Sequence, residues 1–260
     1  MISTETVTYS SISAKGLKMD IYRAEQASQG NEPSPVVIHI PNGNFLGAER
    51  RNDAIHQHAC RYFAGKGYLS VSIDYRQGLR GAEFLPHTIL EAIHMGMDDL
   101  TAATRYIISH AKELNANTEK ISLLGTGAGA CIALTAEYER ANHRLTALPD
   151  GFRYACVVAH SGAMATGEPQ FSWTELPCPI MLVQGKPAGD IPSGRFFVPG
   201  LLWVGGADLH AELNRAGAKS LYYDVSGFEH LAMKGQQMDS ERITEYLDLF
   251  VMRDIEMMTK

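Results

Sequence analysis

From residue 36 onward, short β-branched runs alternate with longer stretches of helical periodicity, and this constrains the fold more than any other feature of the chain. The runs are VVIHI at 36–40, LSVSI at 69–73, ISLLG at 121–125, YACVVAH at 154–160, IMLVQ at 180–184 and LYYDV at 221–225. Most are almost wholly apolar rather than alternating, the pattern of strands covered on both faces. Between and after them, residues 49–65, 97–114, 206–217 and 238–252 read as helices, and the run at 121–125 leads into a further one through GTGAGACIALTAEYE. Within 97–114, Leu100, Ala103, Ile107, Ala111 and Leu114 recur at steps of three and four, which places them on one helix face. Strands alternating with helices dictate a mostly parallel sheet with helices on both faces.

Upstream, residues 6–12 and 17–23 read as a hairpin about Gly16, which brings the sheet to about eight strands. Residues 25–35 form a polar Gly/Pro-rich connection. The longest connections, 77–96, 161–178 and 185–205, are too short for a large lid domain. No composition break or repeat divides the chain, so residues 1–260 are expected to be a single α/β domain.

An apolar share of 45% supports a sizeable core. A net charge of −6 without a long basic run argues against nucleic acid or an anionic membrane as partner. The four cysteines, Cys60, Cys131, Cys156 and Cys178, are far apart and form no CxxC, so neither a metal site nor a disulfide framework is expected. Cys131, Cys156 and Cys178 lie in or beside apolar runs and read as buried thiols, which suits a reducing compartment. The first ten residues lack the basic start and apolar core of a signal peptide. No apolar stretch reaches the roughly 18 residues of a spanning helix. The expectation is a soluble cytoplasmic protein with no metal and no cofactor. An edge strand or the last helix offers a face to a second copy, so a homodimer stays open.

In such a sheet, ligands bind beyond the carboxyl ends of the strands. The strand at 121–125 runs into Gly125-Thr126-Gly127-Ala128-Gly129, a tight turn that opens a helix. Pro41-Asn42-Gly43-Asn44-Phe45 follows the strand at 36–40, and Asp74-Tyr75-Arg76 follows the strand at 69–73. Gly185 to Pro192 follows the strand at 180–184, and Gly227-Phe228-Glu229-His230 follows the last strand.

Together these resemble the esterase/lipase, carboxylesterase-like families of the α/β-hydrolase superfamily. The block MDDLTAATRYIISHAKELNANTEKISLLGTGAGACIAL is similar to their helix–loop–strand–elbow segment, whose turn usually reads G-H-S-A-G-G. The resemblance implies an α/β-hydrolase fold and ester hydrolysis by a serine, a histidine and an acid. It puts Gly127 at the nucleophile's position, where serine is absent. It implies His230 as the base and Asp190 as the acid, with Asp208 as a second candidate for the acid. Asn42, Gly43 and Asn44 stand where the family has H-G-G-G, and these with Ala128 would form the oxyanion and substrate-binding loop. Only Gly43 keeps the family residue there. Tyr75 and Arg76 match the family's strand-end D/N-Y-R and read as internal tethers.

Without an attacking oxygen at residue 127, the serine route is closed. Thr126, Ser161 and Cys131 are poor substitutes: Thr126 flanks the elbow and should point differently, Cys131 should lie buried one turn into the helix, and Ser161, which could lie near the pocket, follows another strand. A His230–Asp190 dyad could still serve as general base or acid on a small acyl- or ester-type molecule, as in a lyase, a cyclase or water-mediated hydrolysis. The alternative is a binding or scaffold protein without catalysis. A third is that Gly127 replaces a natural serine by engineering. Gly125-x-Gly127-x-x-Ala130 also fits a dinucleotide pattern, but it follows the third strand of the alternating series and lacks the acidic residue that such sites need.

Overall fold

The computed structural model describes residues 1–25, 32–47, 50–184 and 194–224. Strands β1 (Ile2–Ser10) and β2 (Leu17–Ala24) form the expected hairpin. They are followed by β3 (Ser34–Ile40), α1 (Ala54–Gly65), β4 (Leu69–Ile73), α2 (Pro86–Ser109), α3 (Ala111–Leu114), β5 (Ala116–Thr126) and α4 (Ala128–Ala141). The order continues with β6 (Cys156–His160), β7 (Ala163–Thr166), β8 (Ile180–Gln184), β9 (Arg195–Val198), β10 (Leu201–Gly205), α5 (Gly206–Arg215) and β11 (Ser220–Asp224).

Eight strands make one sheet in the order β1-β2-β4-β3-β5-β6-β8-β11. The first two pairings along this order, β1–β2 and β2–β4, are antiparallel, and every pairing from β4 to β11 is parallel. The β-branched runs of β3, β4, β6 and β8 are buried, as strands covered on both faces must be. Two buried histidines belong to this interior. His39 in β3 shares a 2.9 Å hydrogen bond with Ser70 Oγ, and burial lowers its pKa to about 3. Burial lowers that of His160, at the end of β6, to about 4.

Helix α4 is enclosed on nearly every side, between the sheet and α2. Its run of small residues permits this. A Cβ on Gly129 would lie under 3.0 Å from Ile40 and Pro41 main-chain atoms. Farther along α4, buried Glu137 pairs with Arg140 at 2.7 Å and accepts the Cys178 N–H at 2.6 Å. Burying that carboxylate is tolerable because both partners are present.

The structure departs from the sequence expectation in three places. The helix expected at 97–114 begins at Pro86, breaks at His110 and resumes as the single turn α3, which ends on Asn115 at φ 50°. Proline at the first helical position presets φ and lacks the N–H that would go unpaired there. Gly96, which interrupts the apolar periodicity, lets α2 approach α4: a Cβ there would lie under 3.0 Å from Ile132 Cδ1 and Cγ1. The helix expected at 49–65 starts at Ala54. The connections expected at 161–178 and 185–205 contain β7, β9 and β10, a separate antiparallel sheet ordered β7-β10-β9. The helix expected at 238–252 lies outside the described residues.

All four cysteines are buried free thiols, Cys60 included. Among the described residues no helix is long and apolar enough to cross a membrane.

Candidate functional site

Strands β3 and β5 lie side by side in register, Ile40 opposite Gly125, so the loop after β3 meets the turn after β5. Gly127 takes that turn at φ 53° and ψ −117°, a conformation that L side chains rarely adopt. Its N–H donates to His160 O at 2.9 Å, and its carbonyl accepts the N–H groups of Ala130 and Cys131 at 3.0 and 3.1 Å. The strand–turn–helix geometry expected at this point is therefore present, with a bare glycine at its apex.

Asn42 closes over that apex. It is 4% exposed, and its Oδ1 accepts the Ala128 N–H at 3.1 Å and the Asn44 N–H at 3.2 Å. A Cβ on Gly127 would lie under 3.0 Å from Oδ1, Cγ and Nδ2 of Asn42. The carboxamide thus fills the space a side chain at residue 127 would need and engages the main-chain donor that follows it.

Tyr75 holds the loop in this shape. Its hydroxyl donates to Pro41 O and accepts the Gly43 N–H, both at 2.9 Å. Arg76 is tied to Asp99 by its main-chain N–H at 2.7 Å and by its guanidinium at 2.9 Å. Burial nonetheless pushes the Asp99 carboxyl upward, with Arg76 opposing. Asn44 and Phe45 both sit at positive φ, 50° and 56°, which is costly for a bulky Phe and persists only where surrounding contacts impose it.

The sequence candidates divide accordingly. Asn42, Gly43, Asn44, Gly127 and Ala128 come together at one point. Asp190 and His230 lie outside the described residues. Asp208 stands exposed in the first turn of α5, where a carboxylate favours the helix dipole. Ser161 follows β6 at φ 54°, its N–H donated to Val183 O at 2.8 Å. The Thr126 Oγ1 is buried without a hydrogen-bond partner among the described residues. Cys131 is fully buried, which pushes its thiol up to about 12 and far from a thiolate at neutral pH.

Beside Ala128 and Asn44 opens a cavity of about 580 Å³. Its lining is largely apolar and includes Phe45, Leu79, Ile89, Phe196, Leu201 and Trp203. The rings of Phe196 and Trp203 stack with centroids 6.0 Å apart. The expectation from sequence missed these last three residues. Their signal was RFFV-Pro-Gly-LLWV, two apolar runs flanking a Pro-Gly turn, with Gly200 at φ 86°.

Residues 19–162 match the BD-FAE family model, more than half of the chain and including the loop after β3 and the turn at Gly127. The chain belongs to the BD-FAE family. The match ends just after β6, so β9 and β10 lie beyond it. This BD-FAE chain is also similar to the Fumonisin B1 esterase of Sphingopyxis macrogoltabida, 26% identical over 121 residues. That match covers 44% of the chain and only 21% of the esterase's length.

Among solved structures, the carboxylesterase Cest-2923 from Lactobacillus plantarum WCFS1 is 14% identical with a TM-score of 0.67, covering 99% of this chain and 97% of that one. The thermophilic esterase Est2 of Thermogutta terrifontis is 16% identical with a TM-score of 0.64, covering 96% of this chain and 92% of its own. The fold is the α/β-hydrolase fold, as the sequence resemblance implied.

Proposed function

We propose that this chain is a non-hydrolytic BD-FAE family member that binds a small acyl- or ester-type molecule in the apolar cavity beside Gly127. The Asn42 carboxamide carries this reading. Ester hydrolysis by the serine route needs an attacking hydroxyl and main-chain donors for the developing oxyanion. Gly127 offers no hydroxyl, and the Ala128 N–H is already bonded to Asn42 Oδ1. Losing one oxyanion donor alone costs roughly 10²–10³ in rate. Binding needs neither the hydroxyl nor the free donor, and the cavity's size and lining suit a small apolar ligand. The similarity to an esterase supports an ester-type ligand. In this reading His230 and Asp190 would hydrogen-bond or orient the ligand rather than activate a hydroxyl.

Incubation with 4-nitrophenyl butyrate tests the proposal. The expected outcome is saturable binding with nitrophenolate release no faster than in buffer carrying an inert protein. Turnover that disappears in His230→Ala would overturn it, in favour of a general acid–base enzyme.

A further inference from the structure

The cavity lining divides by exposure. Phe45, Leu79, Leu201 and Trp203 are buried and form its floor. Leu46, Phe84 and Phe196 are 43%, 65% and 36% exposed and form its mouth. Three chain segments supply that mouth: the loop after β3, the stretch before α2 and strand β9. Nine large apolar side chains are exposed among the described residues, and three of them gather at this one opening. Large apolar side chains left in water and brought together from separate segments mark a surface that something apolar covers. The mouth is continuous with the chamber, because these three side chains line the cavity itself.

We propose that the cavity takes an ester with a linear, medium-length acyl chain, which runs from the chamber outward across Leu46, Phe84 and Phe196. The inference rests on the reading of the cavity as a ligand site. A compact ligand would fill the floor and leave the mouth in water. A partner protein would cover the mouth and leave the chamber empty. A flexible chain covers both. Its length follows from the chamber, whose volume of about 580 Å³ lies in the range that holds drug-sized molecules, so a butanoyl group underfills it. Each methylene buried in the chamber tightens binding by about fourfold. At the mouth, where one side of the chain stays in water, the gain falls to about twofold.

Methyl butanoate, methyl octanoate and methyl decanoate, each titrated into the full chain below its solubility limit and followed by ligand-observed NMR, test the proposal. Every added methylene should tighten binding by about two- to fourfold. Phe84→Ser should cut the gain for methyl decanoate by about fourfold, the worth of two methylenes at the mouth, with a smaller effect on methyl butanoate. Phe197 is exposed too, but strand alternation puts it on the other face of β9 from Phe196, so Phe197→Ser should leave all three affinities unchanged. Equal binding of the three esters to the unaltered chain overturns the role of the mouth and leaves the cavity reading standing. A gain that Phe84→Ser leaves intact, or that Phe197→Ser cuts as deeply, does the same. Sedimentation showing that Phe84→Ser splits a dimer into monomers would assign the mouth to a second copy and likewise overturn the proposal. No binding of any ester overturns both readings.

Discussion

The carboxamide of Asn42 and the bare Cα of Gly127 occupy one another's space: no side chain fits on residue 127 while Asn42 Oδ1 holds the N–H of Ala128. The two residues are 85 positions apart in the chain and meet because β3 pairs with β5. Restoring a serine is therefore not a one-residue change. Gly127→Ser should lower stability by about 1–3 kcal/mol through overpacking, seen as a lower urea midpoint, and should gain no esterase activity. Asn42→Gly with Gly127→Ser clears the space and uncovers the Ala128 N–H. Its rate on a short 4-nitrophenyl ester should exceed that of the single variant by on the order of 10²-fold. Equal rates would mean that Asn42 does not obstruct the site.

Tyr75→Phe removes one hydroxyl that satisfies both Pro41 O and the Gly43 N–H. Two buried polar groups are orphaned, at about 1–3 kcal/mol each. Faster amide exchange should appear at Gly43 and Asn44 before it appears in β3. Unchanged exchange there would show that the tyrosine does not hold the loop.

Acid should destabilise the fold through His39 and His160. Burial lowers their pKa to about 3 and about 4, while unfolded histidines titrate near 6.5. As pH falls below about 6.5, the unfolded chain takes up protons that the folded chain refuses, so stability falls. Each histidine contributes up to about 1.4 kcal/mol per pH unit until its folded pKa is reached. The melting temperature measured from pH 7 to pH 4 should decline accordingly, and His39→Gln should flatten the slope. A flat profile in the unaltered chain would contradict the burial of both rings.

Gly129→Ala presses a methyl group against Ile40 and Pro41 main-chain atoms, which cannot step aside as a side-chain tip can. A loss of about 3 kcal/mol or more is expected in urea unfolding. Gly65→Ala, at the end of α1 with nothing within 4 Å, should be neutral or slightly stabilising.

What the sequence reveals follows the range over which each signal acts. The strands from 36–40 to 221–225, the hairpin about Gly16 and the turn at Gly127 are written in neighbouring residues. The start of α2 was harder to read, because Gly96 breaks the periodicity for the sake of Ile132 on another helix. The β9–β10 hairpin had a local signature in Pro199-Gly200, but its apolar runs also suit a connection near a binding site. Least legible was the role of Asn42. An asparagine beside glycine in a loop reads as a turn residue. Only the pairing of β3 with β5 turns its side chain into the neighbour of Gly127.

Part of the cavity lining, Phe196, Leu201 and Trp203, is carried by a hairpin outside the eight-stranded sheet and beyond the stretch matched to the BD-FAE family. The turn that holds Asn42 and Gly127 and these residues of the cavity lining are thus carried by different sheets. Under the proposed ligand-binding role, substitutions in the hairpin would change what the cavity accepts while leaving the pairings of the eight-stranded sheet in place.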